Sequence, residues 1–164
     1  MYKTDDAQGQ KRLKGYIKAH REYKAAINPN NIITYCTENE QSKPFDALQQ
    51  LIDTKTGRPT GMVCYNDQLV LKLMDVLREN DIRIPEDISF IGYDDSLLAE
   101  ISEVKLTSVI HPKSQLGLDA AKAMIKMIDK KGTYIDNKEL SMLYEPHIKE
   151  RQSTITLKKN SNVS

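Results

Sequence analysis

Strand-type and helix-type hydrophobic patterns alternate from the start of this chain to about residue 110. A chain with that alternation folds as an α/β unit, a mainly parallel sheet flanked by helices and joined by right-handed crossovers. Residues 32–36, 62–65, 88–92 and 106–110 carry the apolar, β-branched and aromatic content of short buried strands. Between them, Leu13, Ile17, Ala19 and Ala25 predict a helix with a narrow buried face over residues 7–26, which Asp5 or Asp6 can cap. Phe45, Leu48, Leu51 and Ile52 form the inner face of a second helix after Ser42. Leu69, Val70, Leu73, Met74, Val76 and Leu77 make residues 67–80 the clearest amphipathic helix. Beyond residue 110 the pattern changes. A helix over 114–129 ends at Lys130-Lys131-Gly132, strands are expected at 140–144 and 148–155, and residues 158–164 read as a polar, frayed tail.

At 164 residues the chain can bury one sizeable core. Its charged fraction is 29% and its formal net charge +1, so it lacks the one-sign field expected of a nucleic-acid-binding surface. No apolar run approaches the roughly 20 residues that cross a bilayer, and the first residues are polar, which gives the expectation of a cytoplasmic chain without membrane contact. Cys36 and Cys64 lie inside strand-type segments without metal-type spacing and read as buried reduced thiols.

Two polar clusters fall where strands end: Tyr65-Asn66-Asp67-Gln68 and Gly92-Tyr93-Asp94-Asp95. In open α/β sheets ligands bind at the carboxyl ends of the strands, so these clusters predict a small polar ligand. Carboxylates, amides and an arginine fork suit vicinal hydroxyls. Asn66, Asp94, His111 at the end of the fifth strand, and Arg12 early in the first helix are the candidates. Each has a plainer reading. Asn66 or Asp67 can cap the following helix, Asp94-Asp95-Ser96 can be an Asx turn, His111 can be a link before Pro112, and Arg12 can face solvent. Only their convergence on one edge favours a ligand. His20, His111 and His147 are scattered, and no nucleophile elbow, P-loop or calcium-loop spacing exists, so no enzyme, metal or cofactor is expected.

The run Gly61-Met62-Val63-Cys64-Tyr65-Asn66-Asp67-Gln68, the run from Ile84-Pro85-Glu86-Asp87 through Gly92-Tyr93-Asp94-Asp95, then Leu106-Thr107-Ser108-Val109 and Pro112-Lys113, closely resembles the LacI/GalR family of sugar-responsive repressors. Lys3-Thr4-Asp5-Asp6, Ala19-His20-Arg21-Glu22 and His111-Pro112-Lys113-Ser114 look like its arabinose-responsive branch in Gram-positive bacteria. The resemblance implies a type I periplasmic-binding-protein-like fold of two lobes, of which this chain carries the C-terminal lobe only. Residues 1–111 would form that lobe, 112–132 would cross to the other lobe, 133–157 would return, and 158–164 would be a disordered tail. It also implies a sugar effector, L-arabinose, held between lobes; operator DNA bound through a module outside this chain; and a homodimer. Family sugar contacts map onto Arg12, Asn66 and Asp94, more weakly onto His111, and as a guess onto Glu38. The family's strand order puts the first strand between those ending at Cys36 and Tyr65, about 9 to 10 Å apart, beyond the reach of a disulfide. An exported sugar-binding protein of a transporter and a sugar-modifying enzyme are the rival readings.

Overall fold

A computed structural model of the chain describes residues 1–54, 58–129 and 141–156. In chain order the elements are β1 (Tyr2–Lys3), α1 (Ala7–Glu22), a 3-10 turn (Pro29–Asn31), β2 (Thr34–Tyr35), α2 (Lys43–Asp53), β3 (Gly61–Val63), α3 (Asp67–Glu79), β4 (Ser89–Tyr93), α4 (Leu97–Ile101), β5 (Thr107–Ile110), α5 (Lys113–Asp129) and β6 (His147–Lys149). β1 pairs parallel with β2, and β3, β4 and β5 form a parallel ladder closed by antiparallel β6. The Met1 amino nitrogen donates to the Val63 carbonyl at 2.6 Å and bridges the two ladders. Met1, Tyr35, Met62 and Cys64 share one core. Cys36 and Cys64 are free thiols, and burial pushes Cys64 up to about 11.

The central helix of the core is α3, whose Val70, Leu73 and Leu77 are buried with Phe90 of β4, Leu106 and Leu48 of α2. The parallel strands β3, β4 and β5 therefore end side by side, and the turn after β1 reaches the same edge, where Asp6 accepts the Tyr65 hydroxyl.

Three expectations need correction. The first helix stops at Glu22, not Ala26, because Lys24 turns left-handed at φ 53°. Its N–H reaches the Arg21 carbonyl at 3.2 Å and that of Ala25 reaches His20 at 2.8 Å, the bonding of a Schellman cap with lysine where glycine is usual. α3 ends the same way, with Asp81 at φ 58° and Ile82 donating to Leu77 at 3.0 Å. The expected strand at 140–144 is not found in its described part. Ser141 to Tyr144 is irregular, and Tyr144 instead donates its hydroxyl to Asp119 of α5 at 2.8 Å. The last strand is only three residues long, since Ser153 leaves the ladder and is buried against β4: it accepts from Phe90 N–H at 2.8 Å and donates its hydroxyl to the Phe90 carbonyl at 2.7 Å. Residue 140, the helix stop at 130–132 and the tail at 158–164 lie outside the described residues.

α5 buries none of its side chains. Leu118, Met124, Ile125 and Ile128 are each half or more exposed, so its apolar face lies open. Leu97, Leu98 and Ile101 of α4 form a second exposed apolar surface. No helix among the described residues is long and apolar enough to cross a membrane.

The burial contrast sets a prediction for this chain. Leu73→Ala should cost about 2 to 5 kcal/mol, whereas Ile125→Ala should stay within about 0.5 kcal/mol. Urea denaturation of the two variants measures both.

A candidate ligand site at the carboxyl edge of the sheet

The site begins with the turn after β1. Asp6 caps α1, its Oδ1 accepting the Gly9 N–H at 2.5 Å. Gly9 is needed there because a Cβ would stand 2.2 Å from the Lys3 carbonyl oxygen. Pressed onto β1 in this way, α1 presents Arg12 across the ends of β3 and β4. The Arg12 guanidinium donates through Nη1 to the Tyr65 carbonyl, and through Nη2 to Asp94 Oδ1 at 3.4 Å and Gln8 Oε1 at 3.5 Å. Its Cζ lies 3.7 Å from the Tyr93 ring centroid and 4.7 Å from that of Tyr65, cation–π contacts on both rings. The Arg12 side chain is 15% exposed and that of Asp94 37%, so the carboxylate is the more open partner.

Asp94 and Asp95 follow β4 at φ 99° and 44°, two consecutive left-handed residues. What holds them is Asp67, buried at the start of α3. Its Oδ2 accepts the Ser96 N–H at 2.7 Å and its Oδ1 the Ser108 hydroxyl at 2.6 Å, while Ser108 Oγ accepts from the Asp95 N–H at 3.1 Å. Gly92 is the close-approach residue: a Cβ would meet Asp67 Oδ1 at 2.2 Å. The two neighbouring aspartates then diverge. Asp95 points to Arg151 at 2.5 Å and Lys149 at 3.4 Å. Burial opposes its ionisation, but these cations outweigh burial and hold its carboxyl below the usual range.

His111 follows β5 with its ring 6.0 Å from that of Tyr93 and its Nδ1 buried without a hydrogen-bond partner among the described residues. Arg12, Tyr93, Asp94 and His111 line one cavity of about 500 Å3, completed by Gln8, Lys11, Leu116 and Tyr144. Three sequence candidates therefore meet in one place. Asn66 does not join them. Its Oδ1 accepts the Leu69 N–H at 3.0 Å as the N-cap of α3, and it lines a neighbouring cavity of about 530 Å3 with Lys3, Thr37, Gln68 and Lys72. Glu38 is exposed in the loop after β2 and lines neither cavity. A larger groove of about 800 Å3, between α3 and residues 102–104, lies toward the amino ends of the strands and holds none of the candidates. Among the described residues no group of three acidic, histidine or cysteine side chains is arranged to hold a metal ion.

Sequence reasoning missed the work of Tyr65, Tyr93 and Asp6. The tyrosines were visible as strand-end residues, but only the fold shows that they stack on Arg12. Burial first, then the hydrogen bond to Asp6, pushes the Tyr65 phenol up to about 12. The Gly9 N–H and the Tyr65 hydroxyl in turn hold the Asp6 carboxyl below the usual carboxylate range. Asp5, which accepts the Thr37 N–H at 2.8 Å, is lowered as well.

Residues 1–154 match the model of the periplasmic binding protein-like domain, and the chain belongs to that family. It is 51% identical over 166 residues to an arabinose metabolism transcriptional repressor from Halalkalibacterium halodurans, covering all of this chain and 44% of that protein. It is 38% identical over 154 residues to the arabinose metabolism transcriptional repressor of Geobacillus stearothermophilus, covering 93% of this chain and 42% of the relative. The chain thus spans less than half the length of these curated relatives. Among solved structures, the transcriptional regulator CelR in complex with cellobiose aligns with a TM-score of 0.71 at 26% identity, over 88% of this chain and 42% of that one.

Two predictions follow from the geometry. Gly92→Ala should destabilise the fold by about 1 to 3 kcal/mol through overpacking, measured by urea denaturation, and the crystal structure of the variant should show Asp67 or the 94–96 turn displaced. Asp5, Asp6, Asp95 and Glu100 are all lowered on folding, and Asp87, bonded by Arg83, lies at about 2. Depressed carboxyl values contribute stability above the unfolded values and lose it as protons bind the folded form. The carboxyl contribution to stability should therefore fall as the pH drops from about 5 toward about 2, which denaturation midpoints across an acid pH series test.

Proposed function

We propose that this chain is the effector-binding portion of a cytoplasmic transcriptional repressor of sugar metabolism, that its effector is L-arabinose, and that the sugar sits against the Arg12, Asp94 and His111 edge. One observation carries the reading: an arginine fork laid between two tyrosine rings and joined to a half-open carboxylate, at the carboxyl ends of parallel strands. Arg12 donates to sugar oxygens. Asp94 Oδ1 faces Arg12, so Oδ2 accepts a sugar hydroxyl. The buried, unpartnered Nδ1 of His111 gains a hydrogen bond from the ligand, relieving the cost of an unpaired polar atom. Asn66 Oδ1 is committed to the α3 cap, so its contact with the sugar falls to the amide nitrogen. Glu38 contributes only if the loop after β2 folds inward. The repressor function of both curated relatives favours a regulator over a transport protein or an enzyme.

In this reading residues 1–111 and 133–157 belong to one lobe, and 112–132 cross to a second lobe in the longer protein. The open apolar face of α5 is the surface that the second lobe covers. The exposed Leu97, Leu98 and Ile101 of α4 face a second copy in a homodimer. Sugar binding favours one arrangement of the lobes, and the dimer presents its DNA-binding modules to operator DNA accordingly.

Calorimetric titration of the full-length protein with L-arabinose tests the assignment. Saturable heat is expected, and Asp94→Ala should weaken binding by about 1 to 3 kcal/mol. Heat with a different sugar but none with arabinose would remove the ligand and keep the class. No heat with any sugar would remove the sugar site itself.

A further inference from the structure

We propose that Asp6 is a positioning residue of this site: by accepting the Tyr65 hydroxyl it fixes the ring and the carbonyl against which Arg12 is extended toward the ligand. The proposal rests on the reading of Arg12 and Asp94 as sugar contacts. Asp6 uses its two oxygens for different tasks. Oδ1 caps α1 through the Gly9 N–H at 2.5 Å, and Oδ2 accepts the Tyr65 hydroxyl at 2.7 Å across 59 residues of sequence. A cap needs one acceptor, which asparagine or serine supplies equally well. The second bond uses the second acceptor oxygen, which a serine cap lacks.

Tyr65 serves Arg12 twice, through its carbonyl and through its ring face. The same ring lies 5.0 Å from the Lys3 ammonium, so its orientation sets where two cations sit. The hydroxyl lies on the long axis of the tyrosine ring, so a hydrogen bond to it fixes where the ring points from its Cβ, and here it is tied to the first turn of the helix that carries Arg12. The loop closes on itself: Asp6 starts α1, α1 carries Arg12, Arg12 lies on Tyr65, and Tyr65 returns to Asp6. With the phenol raised and the carboxyl lowered, Tyr65 stays the donor and Asp6 the acceptor throughout the neutral range. Asp5 anchors the same turn separately through the Thr37 N–H, so the turn survives loss of the Tyr65 bond.

Asp6→Ser keeps a capping oxygen and withdraws the second acceptor from Tyr65; Tyr65→Phe removes the same bond from the other side. Both, their combination, and Arg12→Ala and Asp94→Ala as site controls are made in the full-length protein. Each is titrated with L-arabinose and melted without ligand. Each single variant of the pair should bind about three- to tenfold more weakly, the double variant should be no weaker than the poorer single, and the melting temperatures should match the parent. In the crystal structure of the Asp6→Ser protein the Arg12 guanidinium should leave the Tyr65 ring. If the controls weaken binding while Asp6→Ser and Tyr65→Phe bind as the parent does, the positioning role is overturned and the site stands. Additive losses with lowered melting temperatures would reduce Asp6 to a cap and overturn it too. If the parent binds another sugar and not arabinose, only the ligand assignment fails, and the position of Arg12 in the Asp6→Ser crystal structure decides: unmoved overturns the proposal, displaced supports it.

Discussion

A single buried carboxylate holds the functional edge of this protein together. Asp67 is 1% exposed, and its two oxygens take the Ser96 N–H from the turn after β4 and the Ser108 hydroxyl from β5. Placing a charge inside a protein is costly unless hydrogen bonds replace water. Here those bonds come from the turn after β4 and from β5, and the N-terminus of α3 adds its partial positive charge. Asp67 can sit so close only because residue 92 has no side chain. Remove either, and the left-handed pair Asp94 and Asp95 loses its support.

That support places two adjacent aspartates in opposite surroundings. Asp95 is consumed by an ion-pair network with Arg151, Lys149 and, through them, Glu100. Asp94 remains half open beside Arg12. The chemistry of the edge is thus asymmetric: one acid makes structure, the other faces the cavity. A pair of acids in sequence says nothing of this division, which comes from the left-handed turn after β4 and from the cations that face Asp95.

Much of the fold was legible because its elements follow hydrophobic period. The α3 stripe of Leu69, Val70, Leu73 and Leu77 and the apolar strands β4 and β5 were plain in the sequence. What period could not supply was termination. Lys24 and Asp81 adopt conformations normally given to glycine, so α1 closed earlier than its pattern suggested. The final segment was hidden for another reason: Ser153 is buried by hydrogen bonds to β4 and β5, and a serine carries no hydrophobic signal. Of the candidates, Asp94 and His111 come from asking which polar residues follow strands and Arg12 from its place early in the first helix, and the three line one cavity. Asn66 met the same test and lies in the neighbouring cavity, because helix capping and ligand contact select the same residue type at the same place. Asp6 was readable only as a cap, since its bond to Tyr65 is a long-range contact with no local trace.

Arg12 is locked before any ligand arrives. An arginine side chain gives up about 2 kcal/mol of rotamer freedom when it is fixed, and here folding has already absorbed that loss through Tyr65, Tyr93, Gln8 and Asp94. In the proposed sugar-binding role, a guest at this edge meets a preorganised fork, so its association is not charged for ordering that side chain. The same rigidity limits tolerance: a guest whose oxygens miss the fixed guanidinium plane by an ångström finds an arginine that does not follow it, and discrimination among similar polyols becomes a matter of stereochemistry more than of charge.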